Sequence, residues 1–228
     1  MSPSDFIRIL IVDDHAVVRK GLAMVLRLEH GLEVIGEAQN GREGLEAVER
    51  LQPDLVLLDL VMPEMDGHQM ALALRAKHPH IKILMLTGTQ LDDRALDLLA
   101  AGIEGYVFKN IEPAELVAAI RAVMRGEAYL HPDVMRRVAE RLRTQSARMG
   151  SKAGEEVPPS LALTPRELEV LEWMATPLTY KQIAAHLNVS EETIRSHAKH
   201  ILEKLAQPNR TQAVLTAIRM GWVNLPNR

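Results

Sequence analysis

Apolar residues along this chain follow two rhythms. In the first half, short apolar-rich runs alternate with stretches whose apolar positions recur at helical spacing, whereas the second half shows helical spacing only. The clearest runs are Phe6 to Val12, Leu55 to Leu58 and Ile81 to Leu86, with shorter ones at Glu33 to Gly36 and Gly105 to Phe108. Leu55 to Leu58 is unbroken and lacks the alternation of a half-exposed strand, so it reads as a parallel strand buried on both faces. Between the runs, helices are predicted by Val17, Leu22, Val25 and Leu26, by Leu45 and Val48 within Gly41 to Leu51, and by Met70, Leu72 and Leu74 before Pro79. Two more are predicted from Leu91 to Ala101, closed by Gly102, and from Pro113 to Arg125. Strands alternating with helices predict an α/β doubly wound, flavodoxin-like domain with a five-stranded parallel sheet, over 5–127.

After it, Val134, Val138 and Leu142 give Pro132 to Arg143 a narrow apolar stripe, and 143–160 turns polar and rich in Gly, Ser and Pro. Residues 128–160 therefore read as a linker, helical in its first part. The remainder, 161–228, reads as an all-α helix-turn-helix domain. Thr164, Pro165 and Glu167 form a helix start of capping-box type, with Leu168, Leu171 and Met174 on the buried face. Thr179 caps a second helix that buries Ile183, Ala184 and Leu187. Asn188-Val189-Ser190 makes a tight turn, and Ser190 caps a third helix with Ile194, Ile201 and Leu205 inward. Helix, short turn and helix is an arrangement that places its second member in the DNA major groove. The opposite face of that helix shows Glu192, Arg195, Ser196, Lys199 and His200.

The strand ends carry the candidate chemistry. Asp13 and Asp14 follow the first strand, Asp59 the third, Thr87 and Gly88 the fourth, and Lys109 the fifth. Ligands of open parallel sheets bind outside the carboxyl ends of the strands, and strand order 2-1-3-4-5 brings the three acids together at the switch point. Two carboxylates ~4 Å apart repel by roughly 4 kcal/mol at an effective dielectric near 20, so the trio calls for a cation. Mg²⁺ suits oxygen-only ligands and works with phosphate. The set points to phosphoryl transfer to Asp59, with Asp14, Asp59 and a backbone carbonyl around Mg²⁺, Lys109 and Thr87 on the other phosphoryl oxygens, and Gly88 leaving room. Taken singly, each acid is as commonly a helix cap, Tyr106 a core aromatic and Lys109 a solvated lysine; His15, at a helix start, reads as a surface or capping residue and is left out.

Composition narrows the classes. The chain has 228 residues, no cysteine and a net charge of −3, which excludes disulfides and thiolate metal sites. No apolar run approaches a membrane span and the start lacks a signal-peptide pattern, so a cytoplasmic protein is expected. Residues 161–228 hold eight Lys and Arg against six acids, so only the second half leans towards polyanions.

Asp13-Asp14-His15, Asp59 within Asp-Leu-Val-Met-Pro-Glu-Met-Asp-Gly, Thr87-Gly88 and Gly105-Tyr106-Val107-Phe108-Lys109 resemble the receiver domain of bacterial two-component response regulators. Leu163 to Leu171, Lys181-Gln182-Ile183-Ala184, Ser190 to His197 and Ile201 to Leu205 resemble LuxR-type helix-turn-helix domains, so the whole chain is similar to NarL/FixJ-type regulators. The resemblance implies phosphotransfer from a sensor histidine kinase to Asp59 and a Thr87–Tyr106 switch pair. With it go Mg²⁺ ligation by Asp14, Asp59, the Val61 carbonyl and, through water, Asp13. It implies double-stranded DNA contacts from Lys181, Thr193, Arg195, Ser196, Lys199 and His200, and a homodimer when phosphorylated or DNA-bound, formed through a helix at about Arg210 to Met220. It implies no enzyme beyond Mg²⁺-dependent self-phosphorylation and dephosphorylation at Asp59. Asn110 stands where many receivers have proline, Thr176-Pro177 where glycine is usual, and Tyr180 where asparagine is common. Two rival readings are a phosphohydrolase of haloacid-dehalogenase type, which carries an acid two residues after the nucleophile where this chain has Val61, and a helix-turn-helix that binds protein.

Overall fold

The computed structural model describes residues 6–88, 97–99, 101–127, 129–130, 163–176 and 178–223. The expected helix over 132–143, most of the linker and Pro177 lie outside them. The chain divides into two compact units, 1–125 and 126–228.

In the first unit the elements are β1 (Ile7–Val12), α1 (Ala16–Arg27), β2 (Leu32–Ala38), α2 (Gly41–Leu51), β3 (Leu55–Asp59), α3 (Gly67–Lys77), β4 (Lys82–Thr87), β5 (Gly105–Phe108) and α4 (Pro113–Met124). Of the stretch expected as a helix from Leu91 to Ala101, 97–99 is described and is helical. The strands are parallel in the order β2-β1-β3-β4-β5, the arrangement the sequence predicts, and the chain adds a two-residue sixth strand, Tyr129–Leu130 (β6), one more than the five expected. Two residues are too few to leave a periodic signal.

All five residues of β3 are buried, as are the last four of β1 and of β4. Burial on both faces explains their unbroken apolar character. Helix spacing identified the packing faces less fully. Ala23 and Leu26 are the buried residues of α1 while Val17 is 85% exposed, and in α3 Met70 and Leu74 are buried while Leu72 is 40% exposed. Both helices carry apolar residues round much of their circumference, so periodicity alone does not select one face.

The loop between β3 and α3 is locked by backbone contact. Gly67 N–H donates to the Leu60 carbonyl at 3.0 Å, and Asp66 caps α3 in a capping box with Gln69. A Cβ on Gly67 would stand 1.9 Å from the Asp59 carbonyl oxygen and 3.0 Å from the Leu60 Cα. Glycine here is required by close approach and holds the end of β3 against the start of α3.

The second unit contains α5 (Pro165–Met174), α6 (Tyr180–His186), α7 (Glu191–Lys204) and α8 (Arg210–Arg219). Thr164, Thr179 and Ser190 accept hydrogen bonds from the third residue of their helices, as the sequence predicts. Asn188 adopts a left-handed φ of 52° in the turn between α6 and α7. Ile183, Ala184, Ile194 and Ile201 pack inward with Val170, Leu171 and Met174. Glu167 joins the start of α5 to the end of α7: its carboxylate accepts from Thr164 N–H at 2.7 Å and Lys204 Nζ at 2.7 Å. Burial pushes this carboxyl up, but those donors outweigh it and hold it below the ordinary range.

Replacing Gly67 with alanine is expected to destabilise the chain by about 3 kcal/mol, the upper end for an overpacked site, because the obstacle is backbone. Urea unfolding checks this, and wild-type stability in Gly67→Ala would contradict the close packing.

Candidate functional site

Asp13 and Asp59 stand at the carboxyl ends of neighbouring strands, with side chains 0% and 3% exposed. Lys109 reaches both: its Nζ lies 2.8 Å from Asp13 Oδ2 and 2.8 Å from Asp59 Oδ2. The lysine is set by its backbone, whose N–H donates to the Thr87 carbonyl at 2.7 Å and so ties the end of β5 to that of β4. Asp13 is fixed on its other oxygen by the His15 backbone N–H at 2.8 Å. The charges shape one another. Burial raises the Asp59 carboxyl above the usual aspartate range; Lys109 and the Val61 N–H pull it down, and Asp13 pushes it up. Burial acts to lower the Lys109 ammonium, yet its contacts with Asp13 and Asp59 win, and the net shift is upward.

The rim expected from the sequence is thus assembled. Asp13, Asp14, His15 and Asp59 each offer one ligand atom, all within 4.8 Å of one another. This donor set fits a divalent cation: carboxylate oxygens from two strand ends, with one resident positive charge shared between two acids. Thr87 is buried at the end of β4, Val61 is 71% exposed, and among the described residues no atom lies within 4 Å of where a Cβ on Gly88 would stand. Tyr106 is completely buried in β5. Thr87 pairs in register with Phe108 and Met85 with Tyr106, so Thr87 and Tyr106 share one sheet face two residues apart.

His15, which as a lone histidine at a helix start reads as a surface or capping residue, lies beside the acids. It occupies the N-cap of α1 without a side-chain capping bond; its Nδ1 lies 2.6 Å from Asp14 Oδ1 and 3.3 Å from Asp13 Oδ1. Its position directly after two acids was the available signal.

On the helix-turn-helix, Lys181, Ser196, Lys199 and His200 are exposed and Thr193 half-buried, all available to an external partner. Lys199 is 76% exposed, 3.9 Å from Glu203. Arg195 differs from the expected free base-reading group. Its guanidinium is held by Glu191 at 2.6 Å and by the buried Glu127 at 2.9 Å, and lies 5.6 Å from the Tyr180 ring centroid. Burial would lower the Arg195 pKa, but those acids raise it overall. Arg210 also lies over the Tyr180 ring, 5.3 Å from its centroid. Arg210 is fully buried and donates to the Met174 and Thr176 carbonyls at 2.9 Å each. It thereby satisfies the last carbonyl of α5 and the Thr176 carbonyl just beyond it. In α8, Thr211, Gln212, Val214 and Leu215 are all buried.

Comparison with known proteins agrees with this geometry. Residues 9–121 match the response regulator receiver domain, and 161–217 match the bacterial regulatory proteins of the luxR family. The chain is 39% identical over 218 residues to the transcriptional regulatory protein LiaR of Bacillus subtilis, covering 96% of this chain and all of that one. It is 33% identical to the transcriptional regulatory protein DegU of Brevibacillus brevis, covering 96% of each chain. Among solved structures, the RcsB response regulator of Salmonella typhimurium is 26% identical with a TM-score of 0.54, covering 92% of this chain and 97% of that one. The chain belongs to the two-component response regulators that join a receiver domain to a LuxR-type DNA-binding domain. It is a transcriptional regulator and not a conventional enzyme; membership implies a histidine kinase partner and binding to DNA. Among the described residues no helix is long and apolar enough to cross a membrane.

The raised Asp59 carboxyl has a thermodynamic consequence. A carboxyl that holds its proton more tightly folded than unfolded costs stability where it is ionised, and the cost fades as pH falls through the folded pKa towards ~3.9. Without metal at neutral pH, Asp59→Asn should therefore melt above wild type, with the gap narrowing on acidification. Mg²⁺ at ten times its Kd should stabilise wild type by about 1.4 kcal/mol and the variant by much less. Thermal unfolding across pH and Mg²⁺ checks this; equal melting throughout would contradict it.

Proposed function

We propose that Asp59 is the phosphoacceptor of a switch that controls DNA binding by 163–223. The observation that carries this is the buried Asp13–Lys109–Asp59 arrangement at the carboxyl ends of the strands. One Asp59 carboxylate oxygen attacks the phosphorus of a phosphohistidine on the kinase; the P–N bond breaks, the imidazole takes the electron pair, and an aspartyl phosphate is left. Asp14, Asp59 and the Val61 carbonyl would hold Mg²⁺, with Asp13 acting through water, and the ion would supply charge neutralisation for phosphoryl oxygens. Lys109, already on Asp59, moves its hydrogen bond from the carboxylate to a phosphoryl oxygen, and the Thr87 hydroxyl donates to another. Tyr106 is the companion of Thr87 in the conformational response. Val61 stands where a phosphohydrolase of haloacid-dehalogenase type has its second acid, so no resident acid/base is poised there. The regulator works in the cytoplasm, where its kinase's transmitter and DNA meet.

Incubation with a small phosphodonor and Mg²⁺ should add one base-labile phosphoryl group, and Asp59→Asn should abolish it. Label retained in that variant would overturn the assignment.

On DNA, α7 enters the major groove with Lys181, Thr193, Ser196 and His200 supporting contacts from Arg195 and Lys199. Arg195 and Lys199 lie one turn apart on one face. Arg195 leaves Glu127 to reach a base edge, and the DNA-bound form is a homodimer that uses α8. Arg195→Ala should cost about 1–3 kcal/mol and relax preference at one base position. Lys199→Ala should instead weaken specific and random DNA alike and reduce the salt slope by roughly 1 per protomer. Because the buried Glu127 competes for Arg195, Glu127→Gln should bind DNA more tightly by about 1 kcal/mol. A salt series on the full chain measures all three. Wild-type affinity and slope in both helix variants would show that this face does not read DNA.

A further inference from the structure

His15 lies at the acidic site but has no part in the phosphotransfer described above. Its place is fixed from two sides. The Asp13 carboxylate accepts from the His15 backbone N–H at 2.8 Å, and the extended N-cap conformation (φ −84°, ψ 107°) ends β1 and opens α1 at that residue. These constraints turn the ring back over the acids. Nδ1 then stands 2.6 Å from Asp14 Oδ1 and 3.3 Å from Asp13 Oδ1, while the side chain stays 66% exposed. Neighbouring ligands on an octahedral ion with bonds of about 2.1 Å are roughly 3 Å apart. The two distances bracket that spacing, and His15 belongs to the group of four residues whose ligand atoms lie within 4.8 Å of one another.

We propose that His15 is a nitrogen ligand at the cation position, which makes the site selective for transition-metal dications such as Mn²⁺ over Mg²⁺. This rests on the reading of the acidic cluster as a divalent-cation site. The chemistry is that of the donor set. Mg²⁺ gains little from imidazole and is bound through oxygen, whereas imidazole is a favourable ligand for first-row transition ions, whose affinity for such sites rises along the series from Mn²⁺. A receiver with three acids and an adjacent imidazole therefore offers a fourth protein ligand to one class of ion. The His15–Asp14 contact is what such an ion would replace, the ring and the carboxylate turning from each other to a shared metal.

The test is pulsed electron paramagnetic resonance of the full chain loaded with Mn²⁺, beside Mn²⁺ and Mg²⁺ binding titrations of the wild type and His15→Ala. The side chain is mostly exposed, so its removal leaves the fold intact. The expected result is a nitrogen coupling to Mn²⁺ that vanishes in His15→Ala, with Mn²⁺ affinity falling about tenfold or more while Mg²⁺ affinity is unchanged. Mn²⁺ bound without nitrogen coupling, or with coupling that persists in His15→Ala, would overturn the His15 assignment and leave the cation site standing. Failure of both ions to bind would overturn the cation site itself, and the inference with it.

Discussion

The receiver unit depends on one electrostatic constraint: two carboxylates brought together in a dry place. Hydrophobic burial of β1 and β3 places Asp13 and Asp59 side by side at the strand ends, and nothing about those apolar strands favours the charge. Lys109 is the resident answer. Its ammonium is shared between the two acids, and its backbone is fixed to β4 through the Thr87 carbonyl. The sheet thus builds an incompletely compensated site: three acids and one cation, with Asp59 still carrying a raised pKa from burial. A site in that condition gains from any added cation, and Lys109, which follows β5 and is hydrogen-bonded to the end of β4, links it to both strands.

The helix-turn-helix unit shows the same economy with a different partner set. Arg195, the residue best suited to a bidentate base contact, is engaged by Glu127 and Glu191 and stacked on Tyr180. Tyr180 is shared with Arg210, which closes α5 by binding its last carbonyls. Arg195 of α7 and the Arg210 that binds the end of α5 thus share one aromatic ring. Exchanging Tyr180 for the common asparagine would remove the surface on which both guanidiniums rest.

The parts of this structure legible in the sequence are those governed by local physics. β3 and β5 lie where unbroken apolar runs end in charged residues, α2 has the bounds that its spacing predicts, and Thr164, Thr179 and Ser190 cap the helices they precede. The acids and the lysine were readable because parallel topology sends every strand end to one rim. What escaped involves partners distant in sequence or choices that periodicity leaves open. Arg195 is held by a glutamate 68 residues away, and Arg210 is buried against carbonyls 34 and 36 residues away. Val17 and Leu72 sit at helical spacing yet face outward, because their helices have apolar residues on more than one side. His15 escaped for another reason: a lone histidine at a helix start is ordinary, and only the placement of its ring over Asp14 distinguishes it.

Asp59 as a buried carboxylate only partly neutralised by Lys109 is the centre of this account, and a carboxyl ¹³C NMR titration of the full chain observes it directly. Without metal, the Asp59 resonance should titrate above the ordinary aspartate range, and saturating Mg²⁺ should carry the midpoint below it, because the added cation favours the ionised form. An Asp59 carboxyl that titrates as an exposed aspartate, with no response to Mg²⁺, would contradict both the burial and the charge balance from which the function was argued.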